Sequence, residues 1–568
     1  MKSLLPFIAL AILLLNGSLY AQSWVQSTNP TAHGLNVFND ASIRINFNQD
    51  IEPSTVNTDH IFVYGKHHGF YAISTTTISN SIFDLKADRA FKPGELIRVV
   101  LTDGIQNMAG QNMPQSHQWS FRVKSNPVSE NSFEVKDYPA GEGTYDISAA
   151  DWDGDGDLDI AVANRLASTV GILLNDGLAN FSAMIAYEDM NMPESIDHGD
   201  FDGDGDLDMA VAKAGSNEVG ILLNDGAGTF QVNPSFGVGE APHGVRVVDY
   251  DNDGDQDIVV SNFSGGKLMM FSNTGTANFN FHREVTIASA LEKAIAKDFD
   301  LDGDVDLAVP SFSSGKVFIL ENDGEGEFAK LDDVTVGTQP HLPISGDLNS
   351  DGFEDLVIPN SGSDNAYTLL NDGSANYNLD LILSVDGSPW AGDCADYDGD
   401  GFLDLAFVSI VGNNLELFKN NGSGGFITNG TWPTGNRPQA MVSGDFNQDG
   451  KLDLATCNDN GNSISVLTNN FITDVKESPI FDTQLSASPN PMAGQTTIRY
   501  VLPKSSELYL TLFDARGQQI YEWHEGHQAA GSHMLSFDWR EQNWPSGVYW
   551  CRLKTDLGQQ SLMLIYKD

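Results

Sequence analysis

Residues 151–164, DWDGDGDLDIAVAN, are the stretch from which the rest of the chain can be read. Carboxylates stand at loop positions 1, 3, 5 and 9 (Asp151, Asp153, Asp155, Asp159) and glycine at position 6 (Gly156). Alternate spacing directs such oxygens at one centre, and glycine lets the backbone turn back, which is how a short loop wraps a hard cation. At position 7 the ligand is the backbone carbonyl, so the side chain of Asp157 has no required part.

The loop recurs six more times at a constant period of 49 residues. Position 1 is Asp200, Asp249, Asp298, Asp347, Asp396 and Asp445. Position 3 is Asp202, Asp251, Asp300, Asn349, Asp398 and Asn447, and position 5 is Asp204, Asp253, Asp302, Asp351, Asp400 and Asp449. Position 7 varies (Asp206, Asp255, Asp304, Phe353, Phe402, Lys451), whereas position 9 is always acidic (Asp208, Asp257, Asp306, Asp355, Asp404, Asp453). One such loop would say little, because acidic Gly-rich turns are common on surfaces. Seven at a fixed period predict up to seven structural Ca²⁺ ions, with loops five and seven weaker because Asn replaces one carboxylate. An EF-hand is excluded: position 12 is Val162, Val211 or Val260 rather than Glu, and β-branched residues follow instead of a helix.

Each repeat reads as four strands. In the second, an apolar run enters the Asp200 loop, and strands follow at 207–212, at 219–223 and from Phe230. Asn-Asp-Gly turns such as 175–177, 322–324 and 371–373 mark the hairpins. Four antiparallel strands repeated seven times predict a seven-bladed β-propeller over residues 132–471. The repeats are out of phase with the blades. Residues 133–138 form a fourth strand without the other three, and the last repeat stops at Phe471 after three. The early strand is therefore expected to complete blade seven, since an open sheet edge invites aggregation.

The repeats resemble FG-GAP/VCBS-type units, the calcium-bearing blades also found in integrin α-subunit propellers and many secreted bacterial proteins. The resemblance implies metal sites in the hairpin between the first two strands of each blade. Function is then expected on the opposite face. Six residues before each loop-opening Asp stand Tyr145, Glu194, His243, Glu292, His341, Trp390 and Gln439. With Trp432 and Arg437 they offer a variable ring for sugar stacking or protein contact; the bland alternative is that they only pack loops. An enzyme would draw on Glu194 and Glu292 with His243 and His341. No nucleophile motif, HExxH or phosphate loop accompanies them, so no catalytic residues are assigned.

The chain has 568 residues, and 78 acidic against 30 basic residues give a formal charge of −48. The loops explain part of it: their 28 side-chain ligand positions hold 26 carboxylates. No basic stripe appears, so nucleic acid is not an expected partner. Residues 1–21 read as a secretory signal, with Lys2, an apolar run too short to span a bilayer, and a cut after Ala21. No transmembrane segment is expected in the mature protein. Three cysteines (Cys394, Cys457, Cys551) cannot form a disulfide framework, although a Cys394–Cys457 bridge stays open.

Alternating runs in residues 22–124 read as a β-sandwich. Residues 47–51, 93–95, 104–107 and 119–121 resemble bacterial Ig-like domains first described in surface-layer proteins, which implies a spacer or adhesion module. Residues 472–483 read as a linker. Beyond them, Ser488-Pro489-Asn490-Pro491, Thr497-Ile498-Arg499-Tyr500, Leu512-Phe513-Asp514 and Ser546-Gly547-Val548-Tyr549 resemble the type IX secretion sorting domain of Bacteroidetes. That implies Sec export and then the type IX machinery for residues 484–568. The whole reads as a secreted or surface-displayed all-β protein with a non-enzymatic binding or adhesion role toward polysaccharide or an extracellular protein. A calcium-dependent polysaccharide lyase or glycosidase is the alternative, and a purely architectural surface protein a third reading.

Overall fold

A computed structural model describes residues 24–469, except 115, 129 and 130, and residues 485–567, except 489, 491, 493, 503, 514–518, 543, 546, 556 and 557. The signal-like segment and the 472–483 linker lie outside the described residues. The described residues up to 469 and those from 485 on fall into two separate compact units. The described secondary structure is strands with two short 3₁₀ turns. No described helix is long and apolar enough to cross a membrane.

Residues 25–123 form two facing sheets. One has the order Val25–Asn29, Ile43–Phe47, Ile82–Ala87, Ile73–Ser79; the other runs Gly34–Val37, His117–Val123, Leu96–Leu101, Ile61–Gly65, Gly69–Phe70. Period-two alternation does the sorting. Ile43, Ile45 and Phe47 point inward with Phe83, Leu85, Ile97 and Phe121, while Arg44 points out and pairs with Asp84 at 2.7 Å.

Between residues 133 and 469 the chain builds seven four-stranded antiparallel sheets. Sheet one comprises Thr144–Ala150, Asp159–Asn164, Thr169–Leu173 and Ile185–Tyr187. The next five repeat that order. Sheet seven joins Pro438–Gly444, Asp453–Asn458 and Ser463–Asn469 to Phe133–Pro139, which pairs from Phe133↔Asn469 to Pro139↔Ser463. Every second strand, such as Asp159–Asn164 or Asp355–Asn360, is buried along its whole length. Its residues are apolar on both faces because a neighbouring sheet lies against each. Fourth strands such as Ala329–Thr335 are largely exposed.

Apolar clusters are accordingly shared between consecutive sheets. Trp152, Val170 and Ile172 of the first repeat pack with Leu207, Met209 and Phe230 of the second. Ile147, Ile160 and Leu173 pack in the same way with Phe446, Cys457 and Ile464 of sheet seven. All three cysteines are free and buried.

The Ig-like module, read from the sequence as a spacer or adhesion module, packs on the acidic loops. The Asp151 amide donates to the carbonyl of His67 (3.0 Å), the Gln118 amide to Gly303 (3.1 Å) and the Asn126 amide to Gly450 (2.8 Å). The tip of the 61–70 hairpin is thus buried, His67 being 5% exposed. The loops expose backbone carbonyls that a flat polar sheet end can satisfy, and no periodic sequence signal announces that fit.

The C-terminal unit has a three-stranded sheet (Ser486–Ser488, Gln495–Leu502, Gly531–Asp538) and a four-stranded one (Gln519–Gln528, Ser506–Phe513, Gly547–Thr555, Gly558–Tyr566). Trp539, Leu510 and Tyr549 are at its core.

Candidate metal loops and the opposite pocket

The loops form directly after the first strand of each sheet. In all seven, the position-6 glycine has φ between +84° and +101°, which only glycine adopts without strain, and its amide donates to the position-1 carboxylate at 2.8–3.1 Å. Position 9 also has a fixed role. Asp159 accepts from the amides of Trp152 (3.0 Å) and Asn175 (2.7 Å), and the same pair of bonds recurs down to Asp453 with Phe446 (3.1 Å) and Asn469 (2.7 Å).

Three carboxylates approach within 4.8 Å of one another in five loops: Asp151/Asp153/Asp159, Asp200/Asp202/Asp208, Asp249/Asp251/Asp257, Asp298/Asp300/Asp302 and Asp396/Asp398/Asp404. These groups could hold metal ions. The donor set fits a hard cation, being all oxygen, and buried Oδ1 atoms of Asp151, Asp249, Asp298 and Asp396 accept no hydrogen bond. Burial drives the Asp159, Asp208 and Asp404 carboxyls up to about 8, with the adjacent Asp charges adding to the effect. A bound cation would remove that penalty. Lys419 already leans on loop six, 3.0 Å from Asp400 and closer still to Asp398.

Loops five and seven differ. Their position-1 Oδ1 atoms, like that of Asp200 in loop two (Gly203 amide, 2.8 Å), are satisfied by backbone, Asp347 accepting from the Asp351 amide and Asp445 from the Asp449 amide, both at 3.0 Å. Among the described residues neither loop groups three carboxylates as the other five do. Calcium titration by equilibrium dialysis is therefore expected to separate five tighter sites from two weaker ones. Asn349→Asp should move loop five into the tighter class, with a several-fold gain in affinity from the added carboxylate.

Sequence reading missed the hairpin asparagine. Asn224 donates through Nδ2 to the Trp152 carbonyl of the preceding sheet at 2.8 Å, and Asn273, Asn322, Asn371 and Asn420 do the same to Phe201, Tyr250, Phe299 and Leu348 at 2.7–2.8 Å. Asn175 of sheet one reaches Phe446 of sheet seven at 2.8 Å. The signal was available as an Asn 24 residues after every loop-opening Asp.

At the other end of the first strands, Tyr145, Glu194, His243, Glu292, His341, Trp390 and Gln439 line one pocket of about 50 Å³. His243 lies between two carboxylates, with Nδ1 3.2 Å from Glu292 and Nε2 3.7 Å from Glu194. Arg165 pairs with Glu194 at 2.7 Å, and Tyr145 Oη is 3.3 Å from His243 Nε2. The His341 ring stacks on Trp390 with centroids 3.8 Å apart, and its Nε2 meets Ser361 Oγ at 2.8 Å. Two further candidates for this face do not line the pocket. Trp432 packs edge-on against Phe133 (5.0 Å), and Arg437 pairs with Asp459 at 3.5 Å, outside the pocket lining.

Burial alone would lower the His243 imidazolium and raise Glu292, but their mutual attraction wins. His243 is held up at about 9 and Glu292 down at about 2. The fold favours the charged imidazole, so its contribution is complete below its ordinary 6.5 and lost as pH rises through about 9. The Glu292 contribution is present above its ordinary 4.5 and lost as pH falls toward 2. His243→Gln is expected to destabilise the chain by about 1.5–3 kcal/mol between those two ordinary values. The deficit relative to wild type, read from melting curves, should shrink toward pH 10.

Such a chain is an all-β repeat protein whose turns carry cation-type loops. Comparison with known families agrees: residues 22–123 match a bacterial Ig-like domain, and residues 151–211, 200–260, 298–358, 347–407 and 396–456 match an FG-GAP-like repeat. No curated protein matches the sequence. Among solved structures, similarity is found to BBS1N in complex with ARL6DN (13% identity, 60% of this chain and 98% of that one, TM-score 0.45). A protein from Lactobacillus plantarum is similar at 12% identity over 67% and 98% of the two chains, with a TM-score of 0.40. A putative 6-phosphogluconolactonase from Bacteroides uniformis gives 12% identity over 72% and 100%, with a TM-score of 0.39.

Proposed function

We propose that the protein is a secreted or surface-displayed calcium-stabilised β-propeller that binds an extracellular polysaccharide or protein without chemical turnover. The observation that carries this is the convergence of seven residues, one from each repeat, on a single pocket at the end of the first strands remote from the acidic loops. The copies are alike where they hold the loops and differ where they meet in the pocket. Repeats that serve only as scaffold have no need of that contrast.

A closed seven-bladed ring is supported by two contacts between sheets one and seven: the Asn175–Phe446 hydrogen bond and the Phe181–Phe446 ring contact at 5.8 Å. The Ig-like and FG-GAP-like matches support an extracellular or surface setting. In this reading residues 484–568 direct the chain to type IX secretion, on the motifs named above. Calcium neutralises the loop carboxylates and stiffens the turns. The protein's own residues do the recognising: Trp390, with its ring backed by His341, offers a face for a sugar, while Glu194, Glu292 and Tyr145 offer polar partners.

The test is retention of the full chain, in millimolar calcium, on a panel of polysaccharides and matrix proteins, with a chelated control. Trp390→Ala is expected to weaken binding about tenfold or more, as loss of a central aromatic anchor does. Retention that ignores this substitution would place the ligand elsewhere. Reducing ends or unsaturated products that vanish in Glu194→Ala or Glu292→Ala would replace binding with catalysis.

A further inference from the structure

Between the Ig-like module and the inner ends of the sheets lies a second cavity, of about 210 Å³. Its charge is opposite to that of the protein. Lys66, Arg98 and Arg122 enter it from the module, and Arg246 and Lys297 from sheets three and four; its carboxylates are Asp197 and Asp393. Two of the five cations have partners, Arg246 with Asp197 at 3.1 Å and Lys297 with Glu354 at 3.8 Å.

Arg98 faces Asp249 and Asp197, whereas Lys66 and Arg122 face Asp393. That carboxylate already accepts from Tyr397 Oη at 2.8 Å and from Ser443 Oγ. Arg122 donates one bond, to the Gly94 carbonyl at 3.1 Å. Among the described residues, Lys66 Nζ and the Arg98 guanidinium have neither a hydrogen bond nor a carboxylate within 4.0 Å. Desolvation disfavours the charge on both. Five cations gathered around one cavity with only two carboxylates in its lining repel one another, and the protein has not replaced them with apolar groups.

We infer that this cavity is a binding site for a small multivalent oxyanion of the sulfate or phosphate kind, held jointly by Lys66, Arg98 and Arg122. The arginines supply planar donor forks suited to tetrahedral oxyanions, and Lys66 a compact point charge. The volume is below the roughly 300–1,000 Å³ of pockets for drug-sized ligands, so the occupant is a small ion with water. Because all three cations belong to the Ig-like module and the surrounding walls to the sheets, the ion would fasten the one to the other.

The experiment uses the full chain in millimolar calcium chloride, freed of sulfate, and titrates sodium sulfate calorimetrically at constant ionic strength. One saturable site is expected, and the double variant Lys66→Met/Arg98→Met should weaken it at least tenfold. Arg283→Gln, which alters a fourth-strand cation outside the cavity, should leave it unchanged. Absence of saturable binding, or binding that the double variant leaves intact, would overturn the inference. Should the variant fail to fold, wild-type crystals soaked in selenate decide. An anomalous peak in the cavity supports the site, whereas peaks on the outer surface alone, an adventitious ion only, refute it. Bromide but not selenate in the cavity would refute the oxyanion class. Competition by a sulfated disaccharide would distinguish a sugar ester from the free ion as the natural occupant.

Discussion

Chelation of calcium is expected to lower the melting temperature of the repeats by on the order of 10 °C or more, and to leave melting insensitive to magnesium at the same concentration. A ligand that binds the folded state alone stabilises it by RT ln(1 + [L]/Kd). Extracellular calcium modules have Kd values of about 10⁻⁴–10⁻³ M, so about 10 mM calcium contributes roughly 1.4–2.7 kcal/mol per loop. Five loops group three carboxylates. Together they would contribute about 7–14 kcal/mol, comparable to the whole net stability of a typical domain. The orphaned Oδ1 atoms of Asp151, Asp249, Asp298 and Asp396 are the molecular reason, because without a cation they are buried with nothing to accept. Scanning calorimetry in calcium and in chelator measures the effect. Equal melting temperatures would remove calcium from the account of stability.

The second large effect concerns residues 133–139. Phe133 is 7% and Tyr138 8% exposed, and each serves a different neighbour. Phe133 packs on Trp432 of sheet six, while Tyr138 meets the Phe181 ring at 5.3 Å and donates through Oη to the Ala179 carbonyl of sheet one at 2.6 Å. Truncating a buried aromatic to alanine typically costs about 3–5 kcal/mol, so Phe133→Ala/Tyr138→Ala is expected to release the strand and bare the edge of 463–469. Light scattering should then report association at temperatures where wild type is monodisperse. Phe230→Ala/Tyr377→Ala is the control, since it removes the same two side-chain types, equally buried, from sheets made of consecutive strands. Association by both variants alike would mean that lost packing, not the bared edge, is responsible.

The period of 49 residues made the four-stranded units legible, because each Asp loop and each Asn-Asp-Gly turn punctuates the chain at the same phase. Side-chain pattern did the rest, since second strands such as 355–360 are apolar on both faces. What could not be read was anything lacking a period. The seat of the Ig-like module depends on partners such as Gln118 and Asn252, 134 residues apart (2.9 Å), that carry no mutual signal. Trp432 illustrates the other limit. Its sequence position suited a ligand face, but it packs edge-on against Phe133, whose strand comes from the far end of the repeats. Position 9 was read only as a ligand, whereas Asp159 and its six counterparts also tie two backbone amides each. The sequence repeats both uses with the same period and so cannot separate them.

The pairing of 133–139 with 463–469 sets the order of events during biosynthesis. The outer strand of the last sheet is made before any of the other strands of the repeats, and its partner is made after all of them. More than 300 residues must follow Phe133 before Asn469 is available to pair with it. Contacts so distant in sequence form slowly, because the long intervening loop must first be closed. The repeats therefore reach their final form only once the chain is complete through residue 469. Until then Phe133 and Tyr138 have no sheet to join.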